Sequence, residues 1–561
     1  MKKTVFTLLT VITICVASKA QGVDDGKRFI YYEKFKSAVD VLQKAVASNP
    51  SDAQAVYWLG QAYLQSPEKD ITNAKKIYQD ALNRGLNDPY IWIGMGHVEI
   101  LESNDINSSR QKFEQAITNT KGKKGAENPE ILNAIGRAEA DGGTAVGDPR
   151  YGIDILNRAK TIDTKNPDIC VNLGLCYLKL GTDNGGEAVA AFQEAATRNP
   201  QYAKAYYRMG RIYQAQNNPT SMDEQYNRAV TADPSYSPVY LSWFLYYQNR
   251  DVNKAKEYLD KYMPLADKDC NNDFFMADYL FRAGRYQESL DKAKAMDAGD
   301  CRGFSKINAL YAYNYDRLGD SVQAKMYIEK FLAEAKPEDI TPDNYIFAAQ
   351  EEMKFPGNEA VIDADLTKAF SATTDIAAKT DIASKAAGIM GTAKMYDRQL
   401  YWLQTLVQLK GKTSETDYYK LSLAALNTKN FIYLDSIAKA YTAAYSDKPQ
   451  GYSFMVQAAT GLDPDSTKGL MVEPIMAFNT FLMKDTATNK KKIFNNYYTL
   501  LVYYHDKAKD VAKAIEMCDS MIVLFPNPPG GEEYDFANST KQALQKELNR
   551  GSSGSGGNKN R

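Results

Sequence analysis

Histidine and tryptophan are almost missing from this chain of 561 residues, which has two of the first and four of the second. The two histidines, His97 and His505, lie far apart, so a shared catalytic or metal centre built on them is not expected. No zinc spacing of paired Cys or His occurs. Net charge is also lacking: 68 basic and 69 acidic residues nearly cancel. Without a basic excess, a nucleic-acid partner is not expected. Beyond the first twenty residues no run approaches the ~20 apolar residues of a membrane-spanning helix. Gly411-Lys412-Thr413 ends like a phosphate-binding loop, but Leu406 stands where that loop needs glycine, and the residues before it read as helix. The sequence offers no catalytic constellation and no cofactor motif, so the expectation is a protein without enzymatic activity.

What is present begins with an address. Lys2 and Lys3 precede a mostly apolar stretch from Thr4 to Val16, and Ser18-Lys19-Ala20 sets small residues where a signal peptidase reads. Residues 1–20 thus read as a cleaved signal peptide, with Gln21 the mature N-terminus. Cys15 follows the bulky Ile14, which does not suit a lipoprotein signal, so a lipid anchor is not expected. The implied destination is an oxidising compartment, most simply a bacterial periplasm.

Internal self-similarity is the main signal. Cys170, Leu173, Gly174 and Tyr177 are followed by Ala188, Phe192, Ala195 and Pro200. Tyr206, Met209, Gly210 and Tyr213 are followed by Met222, Tyr226, Ala229 and Pro234. Large residues spaced by three and four form one buried stripe on a first helix. The glycine and the small residues of the second helix allow close approach, and proline marks the end of the unit. The register continues upstream through Gly60, Gly96 and Gly136, with extra residues at 121–127 and 140–149. A truncated unit opens the mature chain, its first helix spanning 26–32. Downstream, Gly284 and Gly319 mark further units, and past Pro337 the pattern degrades. Gly142-Gly143 and Gly185-Gly186 read as turns in which glycine supplies positive φ.

This pattern resembles the tetratricopeptide repeat (TPR), a helix-turn-helix unit of about 34 residues. The resemblance implies an all-α fold, a right-handed α–α superhelix of about a dozen repeats. Regular repeats are expected over 21–336, degenerate ones with a capping helix over 337–550, and a disordered Gly/Ser tail over 551–561. It further implies a concave face lined by first helices. Positions just off the buried stripe are Tyr57 and Gln61, Ile93 and His97, Asn133 and Arg137, Val171 and Leu175, and Tyr207 and Arg211, with Tyr313 further on. Of these, Tyr57, Gln61, His97, Asn133, Arg137, Tyr207, Arg211 and Tyr313 are the candidate binding residues. They suit capture of a peptide or protein segment. The same spacing also suits Tyr57 and Tyr207 packed between repeats, and His97 as a partly exposed hydrogen-bonding residue. The lysine and asparagine set with which some TPR proteins clamp a terminal carboxylate is not evident.

Cys170 and Cys176 fall on different faces of one helix, and Cys518 on a core position. Cys270 and Cys301 precede first helices of adjacent repeats, about 8–10 Å apart by helix packing. That is slightly beyond the ~7 Å reach of a disulfide. Loop movement would close the gap, and otherwise the two are isolated surface thiols. The expected role is a periplasmic scaffold of a cell-envelope assembly, with outer-membrane transport or secretion machinery as its setting. The alternative is a glycan- or nutrient-binding accessory protein like the SusD-like helical lipoproteins.

Overall fold

The computed structural model describes residues 22–527 and 531–554. The signal-peptide reading of 1–20 and the processing site before Gln21 lie outside the described residues. Among the described residues every regular element is helical. They fall into two compact units, one ending at Leu310 and the other beginning at Tyr311. Helical packing continues across Pro337, where Ser321–Glu334 meets Pro342–Glu352.

In the first unit a helix over 22–31 is followed by Phe35–Ser48, and then helical hairpins succeed one another. Their first helices are Ala53–Gln65, Pro89–Ser103, Pro129–Ala140, Pro167–Lys179, Ala203–Ala215, Ser237–Tyr247 and Cys270–Arg282. Each is followed by a second helix, from Ile71–Asn83 through Tyr286–Ala298. Local chemistry sets the starts. Asp52, Asp88, Asn128, Asn166 and Asp269 accept backbone N–H bonds at N-caps, and Pro89, Pro129 and Pro167 take the first turn, where no N–H is needed.

The glycine register acts through one repeated contact. A Cβ on Gly60, Gly96, Gly136, Gly174 or Gly210 would stand between 2.1 and 2.5 Å from Tyr78, Phe113, Leu156, Phe192 or Tyr226 respectively. Each first helix thus seats a large side chain of the next second helix directly on its backbone, and these side chains are fully buried. Gly284 and Gly319 do something else. They have φ of +74° and +85° and end first helices, with open space around them. Gly142 has the expected positive φ of +81°. Gly185-Gly186 does not: it opens the helix Gly185–Arg198, with Gly185 at φ −62°.

The second unit continues in hairpins, among them Pro342–Glu352 with Glu359–Ser371, Ile376–Thr392 with Tyr396–Lys410, and Phe431–Ala444 with Pro449–Leu462. Its core includes fully buried Trp402 and Tyr441. The final helix, Glu532–Gly554, packs on Val511–Leu524 and runs four residues into the segment read as a tail. The remainder of that tail lies outside the described residues. No described helix is long and apolar enough to cross a membrane.

Candidate functional site

The first helices Ala53–Gln65, Pro89–Ser103, Pro129–Ala140, Pro167–Lys179 and Ala203–Ala215 each touch the next. Pro129–Ala140 presents Asn133 and Arg137, one turn apart. Pro167–Lys179 presents Asp168 and Asn172 at the same spacing, and Ala203–Ala215 presents Lys204 and Arg208. Six polar side chains are thereby set on three neighbouring helices.

Asp168 is their centre. It lies in the first turn of its helix, where unpaired N–H groups favour a negative charge. Its carboxylate accepts from Arg137 Nη2 (2.6 Å), Asn133 Nδ2 (3.1 Å), Asn172 Nδ2 (3.2 Å) and Tyr202 Oη (3.0 Å), and Lys204 Nζ stands 3.8 Å away. Burial by itself would raise the carboxyl pKa. The charges of Arg137 and Lys204 and the hydrogen bonds outweigh it and hold Asp168 below the usual carboxylate range. Burial lowers the Lys204 ammonium, with Asp168 opposing. Arg137 also donates to Tyr57 Oη (3.3 Å) and lies over the Trp58 ring, 4.8 Å from its centroid.

Two adjoining cavities open on this cluster, of about 280 and 290 Å³. Both are lined by Ile30, Tyr31, Gln65, Arg137 and Lys204. Trp58, Tyr90, Asn133 and Asp168 complete one, and Glu33, Asp141, Asn172 and Arg208 complete the other. Buried Arg208 Nε has no hydrogen-bond partner. The lining mixes aromatic faces, amides and cations, which suits hydrogen bonding to a polar chain. No group of His, Cys, Asp and Glu among the described residues is arranged to hold a metal ion.

The residues singled out from sequence separate in space. Asn133 and Arg137 line the cleft, as does Leu175. Tyr57 is buried behind it, bracing Arg137. Gln61 is buried too, with Nε2 3.3 Å from Tyr78 Oη and 3.2 Å from His97 Nδ1. His97 is not at the groove edge or partly exposed: it is fully enclosed. The extra segment after Ala140 returns over it, and His97 Nε2 lies 3.1 Å from Asp141 Oδ2. With Gln61 donating to Nδ1, the ring proton is on Nε2 and is donated to Asp141. Burial lowers the His97 pKa and Asp141 opposes this. Tyr207 is buried, its hydroxyl bonded to Arg211 (3.2 Å) and Ser242 (3.3 Å). Arg211 is exposed, away from both cavities. Tyr313 belongs to the second unit, where its hydroxyl accepts from Asn344 (2.6 Å) and its ring meets Phe347 edge-on.

Asp168, Asn172, Lys204 and Arg208 escaped the sequence reading. Their signal was weak but present: Asn172 stands two residues before Gly174, and Lys204 and Arg208 lie one turn apart on a first helix. Cys270 and Cys301 are joined in a disulfide, with Cα atoms 5.4 Å apart. They come closer than helix spacing suggests because Cys301 folds back, its N–H donating to Met296 O (3.2 Å). Cys170, Cys176 and Cys518 are free and buried.

Comparison with known proteins agrees with the repeat seen in the helices. A tetratricopeptide-repeat family model matches residues 24–87 and 172–237. A chloroplastic PsbB mRNA maturation factor, Mbb1, from Chlamydomonas reinhardtii is 32% identical over 84 residues, which are 15% of this chain and 12% of that protein. Among solved structures, the C-terminal part of a TPR repeat-containing protein from Cytophaga hutchinsonii is 18% identical, with 47% of this chain and 98% of that one covered and a TM-score of 0.31. For a tetratricopeptide repeat protein from Parabacteroides merdae the values are 16%, 56%, 98% and 0.30.

Proposed function

The chain belongs to the tetratricopeptide-repeat proteins, whose stacks bind other proteins, and from that premise we propose that it is a non-catalytic scaffold that holds an extended peptide or protein segment in the cleft of its first unit. The observation that carries the reading is the convergence of Asn133, Arg137, Asn172, Lys204 and Arg208 on one polar, partly aromatic cleft. Asp168 already occupies part of this donor set, so the groups left for a partner are Arg208 and the remaining N–H groups of Lys204. They favour a segment that offers carbonyl or carboxylate oxygens. The scaffold works in the bacterial cell envelope, in the periplasm, after removal of residues 1–20. Support for this comes from the basic, apolar and small-residue order of that segment and from the Cys270–Cys301 disulfide, which suits an oxidising compartment.

Crosslinking and capture from envelope fractions test the reading. A Lys204→Ala/Arg208→Ala double variant should lose about tenfold or more in partner capture, the worth of one charged hydrogen bond. Its helix content by circular dichroism should be unchanged. Undiminished capture by a folded double variant would remove the cleft as the binding site, and an intact Met1 on N-terminal sequencing would remove the export reading.

A further inference from the structure

The first unit closes on itself. Residues at its start touch residues from 171 to 232 positions later, along a seam with two halves. In one half the Tyr31 ring packs between Tyr202 and Tyr236, with centroids at 5.3 and 5.0 Å. Next to it Tyr32 Oη donates to Asp233 (2.9 Å), and Ser237 Oγ donates to Tyr32 O (2.9 Å). In the other half Asp267 accepts from the backbone N–H groups of Lys36 (2.9 Å) and Ser37 (3.2 Å) and from Ser37 Oγ. Lys36 Nζ donates to Lys268 O (3.0 Å), and Asn271 Nδ2 donates to Glu68 Oε1 (3.2 Å).

The second half has an unusual anchor. Helix Phe35–Ser48 begins after Lys34, which has no side-chain oxygen to cap it. Its first amides have no partner within the helix. Asp267 supplies the missing cap from a distant part of the chain. Asp267, Lys268 and Asn271, which make every bond of this half, flank Cys270, and Cys270 is tied to Cys301. The loop that receives the start of the chain is thus the loop the disulfide holds. The seam also bounds the cleft, since Lys27, Ile30, Tyr31 and Glu33 form one of its walls.

We propose that the Cys270–Cys301 disulfide is a redox lock on this seam: oxidised, it holds Asp267 in place to cap helix Phe35–Ser48 and keep the cleft walled; reduced, it releases that half of the seam. Reduction takes two electrons and two protons from an external dithiol and leaves two cysteine thiols, with that dithiol oxidised to its own disulfide. Cys170, Cys176 and Cys518 are already thiols, so a reductant changes this bridge alone among the described cysteines.

Amide hydrogen exchange at Lys36 and Ser37, read by mass spectrometry on the full chain, tests the lock without any binding partner, so its outcome is separate from that of the scaffold reading. In the oxidised protein both amides should be protected. In Asp267→Ala, in the protein reduced by a phosphine, and in Cys270→Ser/Cys301→Ser, their exchange should rise about tenfold, as expected for loss of one charge-assisted hydrogen bond. The amides of Pro167–Lys179 should stay protected in all three. Unchanged exchange at Lys36 and Ser37 after reduction overturns the lock, and so does unchanged exchange in Asp267→Ala. Loss of protection throughout the unit on reduction overturns it too, because the disulfide would then be a general staple. The reduction arm uses the natural sequence and stands if a variant fails to fold.

Discussion

The ring of Phe192 rests on the backbone of Gly174: a Cβ at that glycine would stand 2.4 Å from Phe192 Cε1. The second helix is Gly185–Arg198, and its own first-turn glycine, Gly186, has open space around it.

These two glycines give opposite expectations. Gly174→Leu should overpack the helix contact and cost about 1–3 kcal/mol. Gly186→Ala should be neutral or stabilising by up to about 1 kcal/mol, since alanine is the better helix former. Thermal melts of the two variants measure the difference. Equal melting points would contradict the assignment of Gly174 to a packing contact.

Arg137 and Asp168 form the second test. Arg137→Ala leaves a partly buried carboxylate without its strongest partner, at a cost of about 3 kcal/mol, the low end for breaking a buried pair. The carboxyl pKa is depressed in the folded protein. Its stabilisation is therefore fully present above the unfolded value of about 4 and is lost as pH falls from there towards the folded pKa. Asp168→Asn should flatten the fall of stability below pH about 4. Denaturant midpoints of the wild type and this variant across that window report it.

Glu139 titrates the other way. It is buried, its carboxylate accepts the N–H of Asp148 (2.6 Å), and burial pushes its pKa up to about 7. A raised carboxyl pKa gives stability that is present below the unfolded value, about 4.3, and lost as pH rises through the folded value. Relative to the wild type, Glu139→Gln should gain between pH 5 and pH 8, by on the order of 2–3 kcal/mol. A constant difference between the two proteins over this range would show that Glu139 does not titrate there.

Tyr207 separates packing from recognition. Its ring is buried against Tyr226 and Tyr236, at centroid distances of 6.0 and 5.6 Å. Tyr207→Ala should cost about 3–5 kcal/mol, as aromatic truncation in a core does. Arg211→Ala, at an exposed position outside both cavities, should change neither stability nor capture appreciably. A stable Tyr207→Ala protein that loses its partner would return Tyr207 to the groove.

The fold was legible because each hairpin is specified locally. Gly174 and Phe192 are 18 residues apart, and the contact recurs as Gly60 with Tyr78, also 18 apart, and Gly210 with Tyr226, 16 apart. The cleft was less legible. Which first-helix side chains reach it depends on what covers them, and that is set by distant residues. His97 sits next to a consensus glycine as Arg137 does, yet Asp141 closes over one while the other opens to the cleft. Lys204 and Arg208 look like ordinary surface cations until Tyr31 and Glu33 return to face them. Past Pro337 the close contacts of glycine move out of the consensus slot, as at Gly461 against Phe431, and the core includes buried alanines such as Ala383 and Ala386.

The seam between the start of the first unit and residues 202–271 imposes an order of assembly. Neighbouring hairpins pair over tens of residues, so the stack grows by quick, local steps. Asp267 and Ser37 are separated by 230 residues. During synthesis the amides of Lys36 and Ser37 and the ring of Tyr31 lack these distant partners until Tyr202, Tyr236 and Asp267 have been made. Closure across so long a separation is slower than the pairing of neighbouring hairpins, and until it forms the earliest helices lack these contacts and stay open to proteases and to other chains.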